Sequence, residues 1–459
     1  PFSVSNARWN SAKSVLKLNI AAEDESTHLN EMNISKLRVY LHSANHISLS
    51  LFMLIFKHCI GIEIKMGINH IQIPLSNLAN VGFDKNEKNI PYSVKSSHGH
   101  QLLVEHYCYH EKFLFFDLNN LGQFLEFDSK ECDVLFYFDE AIEFLPNHIS
   151  EENFLLGCTP IINAFEQALD PARIIPGQTE LKLTPKLGQE GCYEIIDITS
   201  VSIHDQDDIT HIATPYYGQI HQKENDNAFF WYSKRELTTW VDNNNEPGFN
   251  TYISIINRQL KELNYTEKKH DFILMTKALC SNKNIPGNLK HNSEQLNLHV
   301  TEKSDLIKKV NCLKPFTQCI RPELKDDSKW QLISQMSLNF FNDENATTRL
   351  KNQLSLLNFG NSAEVSALIA NIDDVSLTQK TERITNNGFE CLMSGTLIEI
   401  TFIRDAYKGA ACFFFGSVLR CFFAQLAAIN SFTQLSIRFK GDLHIFHAWQ
   451  PLLGTASLV

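Results

Sequence analysis

From Ala410 to Phe439 the chain is apolar at most positions, and the spacing of those positions changes once along the way. Phe414, Val418, Cys421, Phe422 and Ile429 recur at helical intervals, while Phe415, Leu419, Phe423 and Leu426 fill the neighbouring stripe. The pattern predicts one long helix covered on nearly every side. Asn430 and Ser431 end it, and 433–439 then alternates as a strand with Leu435 and Ile437 on one face. Arg420 and Gln425 interrupt the run after about ten residues, whereas a membrane span needs about 18 or more. An arginine near a bilayer centre also costs about 2.5–3.5 kcal/mol. The stretch therefore reads as a core or interface helix.

Upstream the dominant period is two. Alternation at 15–20 (Leu16, Leu18, Ile20), 36–40 (Leu37, Val39), 60–73 (Ile62, Ile64, Met66, then Ile71 and Ile73), 101–109 and 133–138 predicts strands, with 48–59 as the one helix among them. Residues 1–150 therefore read as a β-rich domain, a sandwich or barrel with a covering helix. Gly157 and Pro160 break the apolar run 155–165 and mark a junction. A second β-rich domain follows over 151–305. Its strands are predicted at 179–183, 193–201, 228–232 and 251–256, with polar turns at 205–208 and 242–248 and a polar connection over 281–304. The last stretch, 306–459, changes period again. It predicts helices at 330–341, 346–357 and 363–370 and strands at 371–385 and 390–403, before the apolar helix and its strand complete a β-α-β order. The predicted fold class is α+β and multidomain: two β-rich, sandwich- or barrel-like blocks followed by a C-terminal α+β domain with a central buried helix.

Composition narrows the function. A chain of 459 residues exceeds one core, so two to four domains are expected. The 32 phenylalanines against 12 tyrosines and 5 tryptophans weight the chain toward packing and contact over chemistry. At a net charge of −11, with basic residues only in pairs such as Lys268-Lys269 and Lys308-Lys309, nucleic acid is not the expected partner. The 11 cysteines are odd in number and include no C-x-x-C pair, which points to free thiols in a reducing, cytoplasmic setting. The opening Pro1-Phe-Ser-Val carries no charged n-region and no apolar h-region of a secretory signal.

Candidate chemistry is sparse. On a strand over 101–109, His106, Cys108 and His110 would share a face, but neighbours about 6.6–7 Å apart are too far to ligate one zinc unless the strand bulges, so the trio reads as a polar strand face. The acidic run at 204–208 lacks the glycine and terminal glutamate of a calcium loop and reads as a solvated turn. The common hydrolase, nucleotide and metalloprotease signatures are absent. No cofactor, metal or catalytic residue is expected, and the chain is not expected to be an enzyme. The aromatic string Phe229-Phe-Trp-Tyr232 fits either a subunit contact or a carbohydrate groove, since half of it must face outward from a strand.

Five phrases, in order, carry a resemblance: Glu111-Lys-Phe-Leu-Phe-Phe-Asp-Leu118, Leu155-Leu-Gly-Cys-Thr-Pro-Ile-Ile-Asn-Ala-Phe165, Ala278-Leu-Cys-Ser-Asn-Lys-Asn-Ile-Pro286, Trp330-Gln-Leu-Ile-Ser-Gln-Met-Ser-Leu-Asn339, and Gly416-Ser-Val-Leu-Arg-Cys-Phe-Phe-Ala-Gln-Leu-Ala-Ala-Ile-Asn-Ser-Phe-Thr-Gln-Leu435. Together they are similar to the TssF (ImpG/VasA) family, baseplate subunits of type VI secretion. The resemblance implies a structural wedge subunit that assembles with TssG, two TssF copies to each TssG, and with TssK and TssE around a spike containing VgrG. It further implies a cytoplasmic baseplate docked at an inner-membrane complex, and an N-terminal helical segment of the family lying before Pro1. The matches thin out over 441–459. On this reading Phe229, Trp231, Phe422, Leu426, Phe432 and Gln434 are expected at partner interfaces. The rival readings are a glycan-binding multidomain β-protein and a hydrolase with dispersed acids.

Overall fold

The 410–426 helix is buried by elements drawn from both ends of the chain, and this arrangement sets the architecture. A computed structural model describes residues 2–10, 14–22, 29, 34–92, 96–122, 129–140, 142, 144–175, 178–204, 209–217, 229–238, 248–257, 272–289, 298, 307, 309–322, 330, 345–386, 389–404 and 409–454. The fold is mixed α+β, mostly strands in four sheets. Five α-helices lie among the described residues: α1 (Asn45–Lys57), α2 (His98–Tyr109), α3 (Ala346–Leu356), α4 (Ala363–Ala370) and α5 (Ala410–Leu426). The chain divides into two compact units, Pro1–Ile161 with Ile320–Val459, and Ile162–Cys319. The three stretches read from the sequence are thus gathered into two: the first and last contribute to one core, and the middle one has its own.

In the larger unit, strands Phe2–Asn10, Val15–Ala22, Glu131–Phe138, Cys59–Met66 and Asn69–Ile73 form an antiparallel sheet in that spatial order. Leu16, Leu18, Ile20, Ile62, Ile64 and Met66 point into the core, as their alternation predicts. A four-stranded sheet of Leu78–Asn80, Phe115–Leu118, Leu37–Leu41 and Phe154–Leu156 lies in the same unit. The third sheet begins with the long hairpin Ile372–Asn386 and Phe389–Phe402. Phe389–Phe402 then pairs in parallel with Ser431–Phe439, and α5 is the crossover between them, the predicted β-α-β unit.

Twelve of the 17 residues of α5 are buried. Its five buried phenylalanines, Phe413, Phe414, Phe415, Phe422 and Phe423, contribute roughly 1.5–3 kcal/mol each, a sum on the order of the whole net stability of a domain. Exposure of this helix is therefore not an option for the folded chain. One side packs on the strand Ser431–Phe439, and Trp449 stacks on Phe413 at 5.4 Å. There Gly416 is required, because a Cβ would lie 2.4 Å from the Trp449 ring. The other side meets α1, where Phe52 sits edge-on to Phe414 at 5.0 Å, and α2, where the His106 ring stacks on Phe415 at 5.6 Å. Where α2 begins, Gly99 lets the α5 backbone come so close that a Cβ would stand 2.7 Å from the Cα of Phe422. Gln425, a polar break in the apolar run, finds its use here. Its Oε1 accepts from Ser97 Oγ and from the Gly99 backbone N–H, both at 2.5 Å, and so satisfies an otherwise orphaned donor of the first turn of α2.

The smaller unit carries an eight-stranded sheet. Its main path runs Phe165–Ala168, Phe272–Ser281, Glu194–His204, Thr210–Pro215, Phe229–Leu237, Phe249–Asn257 and Leu181–Lys182, with Ala172–Ile174 also pairing to Phe272–Ser281. Leu274, Ala278 and Cys280, with Val201, Ile203 and Ala213, face its core. The predicted junction is where the units part: Gly157 adopts a left-handed φ of 67°, and no regular element spans 157–164.

Two sequence expectations are corrected. The segment 101–109 is helical, not a strand, because Gly99, Leu102, Leu103 and His106 recur at three- and four-residue intervals and bury one face of α2. The alternation of His106, Cys108 and His110 is incidental to that stripe. The apolar helix ends at Leu426, before Asn430, as Ala427 turns extended to bring Ser431 opposite Ser394. Of the predicted helix 330–341 only Trp330 is described, and most of 239–247 and 290–306 lies outside the described residues.

Replacing Gly99 by valine pushes α2 off α5. The expected loss is about 1–3 kcal/mol in urea unfolding, while Gly122→Ala, where a Cβ meets nothing within 4 Å, leaves the midpoint unchanged.

Candidate functional site

Six residues are nominated by the sequence for partner contact, and the structure distributes them between the two units. Phe422 and Leu426 lie on α5, with Phe432 and Gln434 on the adjoining strand. Phe422 and Phe432 are wholly buried and present no surface in the isolated chain. Leu426 and Gln434 are half-buried, and Gln434 Nε2 donates to the Trp449 carbonyl at 3.1 Å. In the other unit, Phe229 and Trp231 turn toward their own core, Phe229 lying 6.1 Å from the Phe272 ring. Phe230 and Tyr232 take the opposite side of that strand and are half-buried. The apolar surface that remains exposed lies elsewhere. Leu392, beside the hairpin tip, is 72% exposed and Leu443, on the loop after Ser431–Phe439, is 87% exposed, while Ile212 on the smaller unit is 65% exposed. None of these three stands out by pattern, since a single apolar residue in a polar setting is ordinary.

The polar groups inside the larger unit are arranged for structure. His106 lies among Phe113, Phe414 and Phe415 and borders a cavity of about 70 Å³ that Asn45, Tyr107, His110 and Glu364 also line. Along its wall His110 Nε2 is 3.0 Å from Asn45 Oδ1, and the Asn45 amide donates to Glu364 at 2.8 Å. His106 Nδ1 and the Tyr107 hydroxyl have no hydrogen-bond partner among the described residues. Burial, assisted by the neighbouring His110, pulls the His106 imidazole down to about 3, so it is neutral near pH 7. His447, desolvated beside Trp449 and near Lys57, falls to about 4. One buried charge pair is present: Lys112 donates to Glu105 with both side chains almost fully buried. The free oxygen of Glu105 accepts from the backbone N–H groups of Asn89 and Ile90 at 3.0 Å each, tying that segment to α2.

His106 on α2 and His110 just after its end have ring centres 6.4 Å apart, yet among the described residues no three His, Cys, Asp or Glu side chains converge as metal ligands. The arrangement supplies contact surfaces and preformed packing. The acidic turn at 205–208 lies outside the described residues.

Comparison with known proteins agrees along nearly the whole length. The family profile "Type VI secretion system, TssF" matches residues 1–456. The type VI secretion system component TssF1 of Pseudomonas aeruginosa is 23% identical over 444 residues, covering 92% of this chain and 70% of that protein. The fold is similar, with a TM-score of 0.75 and 20% identity, to a chain in the cryo-electron microscopy structure of the TssK-TssF-TssG baseplate subcomplex of the type VI secretion system, covering 98% of this chain and 81% of that one.

The neutral histidines make stability depend on pH. Because their folded-state affinities for protons lie below the unfolded value of about 6.5, the unfolded chain binds protons first as pH falls. Stability is full above that value and is lost from about pH 6.5 downward, by up to about 1.4 kcal/mol per pH unit for His106. The urea midpoint is expected to drop between pH 7 and pH 5, and His106→Phe, which suits the surrounding rings, to flatten that drop.

Proposed function

Given that this chain belongs to the TssF family of type VI secretion systems, we propose that it is a structural wedge subunit of the secretion baseplate that binds TssG and TssK and catalyses no reaction. The family match over 1–456 carries this reading, and the shared fold with a chain of the TssK-TssF-TssG subcomplex supports it. Two copies join each TssG, and TssE and the spike protein VgrG complete the surroundings. The baseplate forms on the cytoplasmic side and docks at the inner-membrane complex. No helix among the described residues is long and apolar enough to cross a membrane.

The physical basis is the separation of roles between the two kinds of apolar surface. Phenylalanines buried within the larger unit make a stiff body, and exposed apolar positions such as Leu392 and Leu443 are left for neighbours. A subunit placed twice in unlike surroundings also needs hinges; of the candidates 243–248 and 281–304, residues 243–247 and most of 290–304 lie outside the described residues. The carbohydrate-groove alternative is weakened by the inward turn of Phe229 and Trp231.

Co-expression of the tagged chain with TssG and TssK tests the reading. One complex with two copies of this chain per TssG is expected by size exclusion with light scattering; a monomer in the presence of both partners overturns it. Phe422→Asp and Leu426→Asp each lose either the fold or the complex, through uncompensated burial of a charge.

A further inference from the structure

The chain leaves α1 at Lys57 and enters the strand Cys59–Met66 at once, so His58 alone forms the corner. Neighbouring side chains on a regular helix point apart, but at this corner they meet: Lys57 Nζ is 3.2 Å from His58 Nε2. An ammonium can only donate, so Nε2 accepts, and the ring's one proton lies on Nδ1. From there it is given to Asp139 Oδ1 at 3.0 Å, with Glu140 Oε2 at 3.5 Å from the same nitrogen. The Asp139 backbone N–H donates to the His58 carbonyl at 3.1 Å and fixes the carboxylate beside the ring. An amine, an imidazole and a carboxylate therefore stand in line, each within hydrogen-bond reach of the next. That is the order of a nucleophile, its base and the group that orients the base.

The surroundings act on the same amine. Lys57 Nζ lies 3.9 Å over the Phe446 ring, which favours the ammonium. Burial disfavours it and, partly offset by Glu140 and Asp139, lowers the proton affinity of Lys57 from the usual lysine range. Among the described residues no carboxylate is within ion-pair distance of Lys57, since Asp139 and Glu140 both face the imidazole. His447 and Arg420 are the other titratable groups nearby, and His447 is neutral near pH 7. The Lys57 side chain is half-buried, which leaves a small solute access to it.

We infer that Lys57 is an acyl-acceptor site, its amine freed by His58 and taking the acyl group of a small acyl phosphate. His58 Nε2 removes one proton from the ammonium and later passes it to water. The amine attacks the carbonyl carbon; an N–C bond forms, and the C–O bond to phosphorus's oxygen breaks with its electron pair. Phosphate leaves with a second proton of the nitrogen, and the third stays on the amide. The neutral amide loses the attraction to the Phe446 ring, which packs against Gly409 where α5 begins.

Acetyl phosphate is the probe, with acetylation of the intact chain followed peptide by peptide at pH 7. Lys57 is expected to react about ten-fold faster than the exposed Lys85 and Lys186. A Lys57 rate at or below theirs overturns the inference. His58→Gln keeps an acceptor for Lys57 but cannot take its proton, so it is expected to bring Lys57 down to the rate of Lys85 while Lys85 and Lys186 are unchanged. A Lys57 rate unaffected by that substitution also overturns the inference. The wild-type comparison needs no variant and decides alone where His58→Gln does not fold.

Discussion

Burial of α5 is the constraint from which the larger unit follows. A helix with five buried phenylalanines must be enclosed, and the strand after it, running parallel to the one before, covers only one side. The remaining side is closed by α1 and α2, which come from the other end of the chain. The segment 162–319 is therefore an insertion between two halves of one core, and neither half can be expected to hold its fold without the other. Contacts so distant in sequence form late and cost loop-closure entropy, which places folding of the first 161 residues under the control of the last 140 or so.

Several polar residues within this apolar region have a structural task. Gln425 satisfies a donor at the start of α2, Glu105 and Lys112 hold each other while Glu105 ties down Asn89 and Ile90, and His106 stays neutral among rings. A buried polar group with partners specifies one arrangement among several that apolar packing alone would accept. Helix α2 is thus positioned by directional bonds at its start and by stacked rings near its end.

Much of this was legible in the sequence where one local period prevails. Leu16, Leu18 and Ile20, or Ile62, Ile64 and Met66, alternate cleanly because one face of an antiparallel sheet is dry. Helices α3 and α4 and the long hairpin were equally readable. The segment 101–109 was not, since His106, Cys108 and His110 alternate while Gly99, Leu102, Leu103 and His106 follow a helical stripe, and only contact with α5 decides between the two periods. The union of the first and last stretches was invisible for the same reason: a local pattern says that a surface is apolar and cannot say which distant surface covers it. Phe422 and Phe432 stand out in sequence for their apolarity, the property that sends them to the core in the isolated chain.

The two units meet their apolar surface in different ways. In the larger one sheets and helices enclose it from both sides, with side chains such as Phe52, Phe414 and Phe415 packed ring against ring. In the smaller one the described residues form a sheet with its own core, held by residues such as Ile203, Ile253, Leu274 and Ala278. Enclosed packing tolerates little displacement because close-packed interiors are stiff, so the larger unit suits a fixed position. Along the strands of the smaller unit, residues that hold the core alternate with residues that face away from it, so the two can be changed separately. Met275 and Leu274, adjacent in sequence and opposite in direction, embody that separation: the first is half exposed and its substitution leaves the core intact, while substitution of the buried second alters whether there is a sheet.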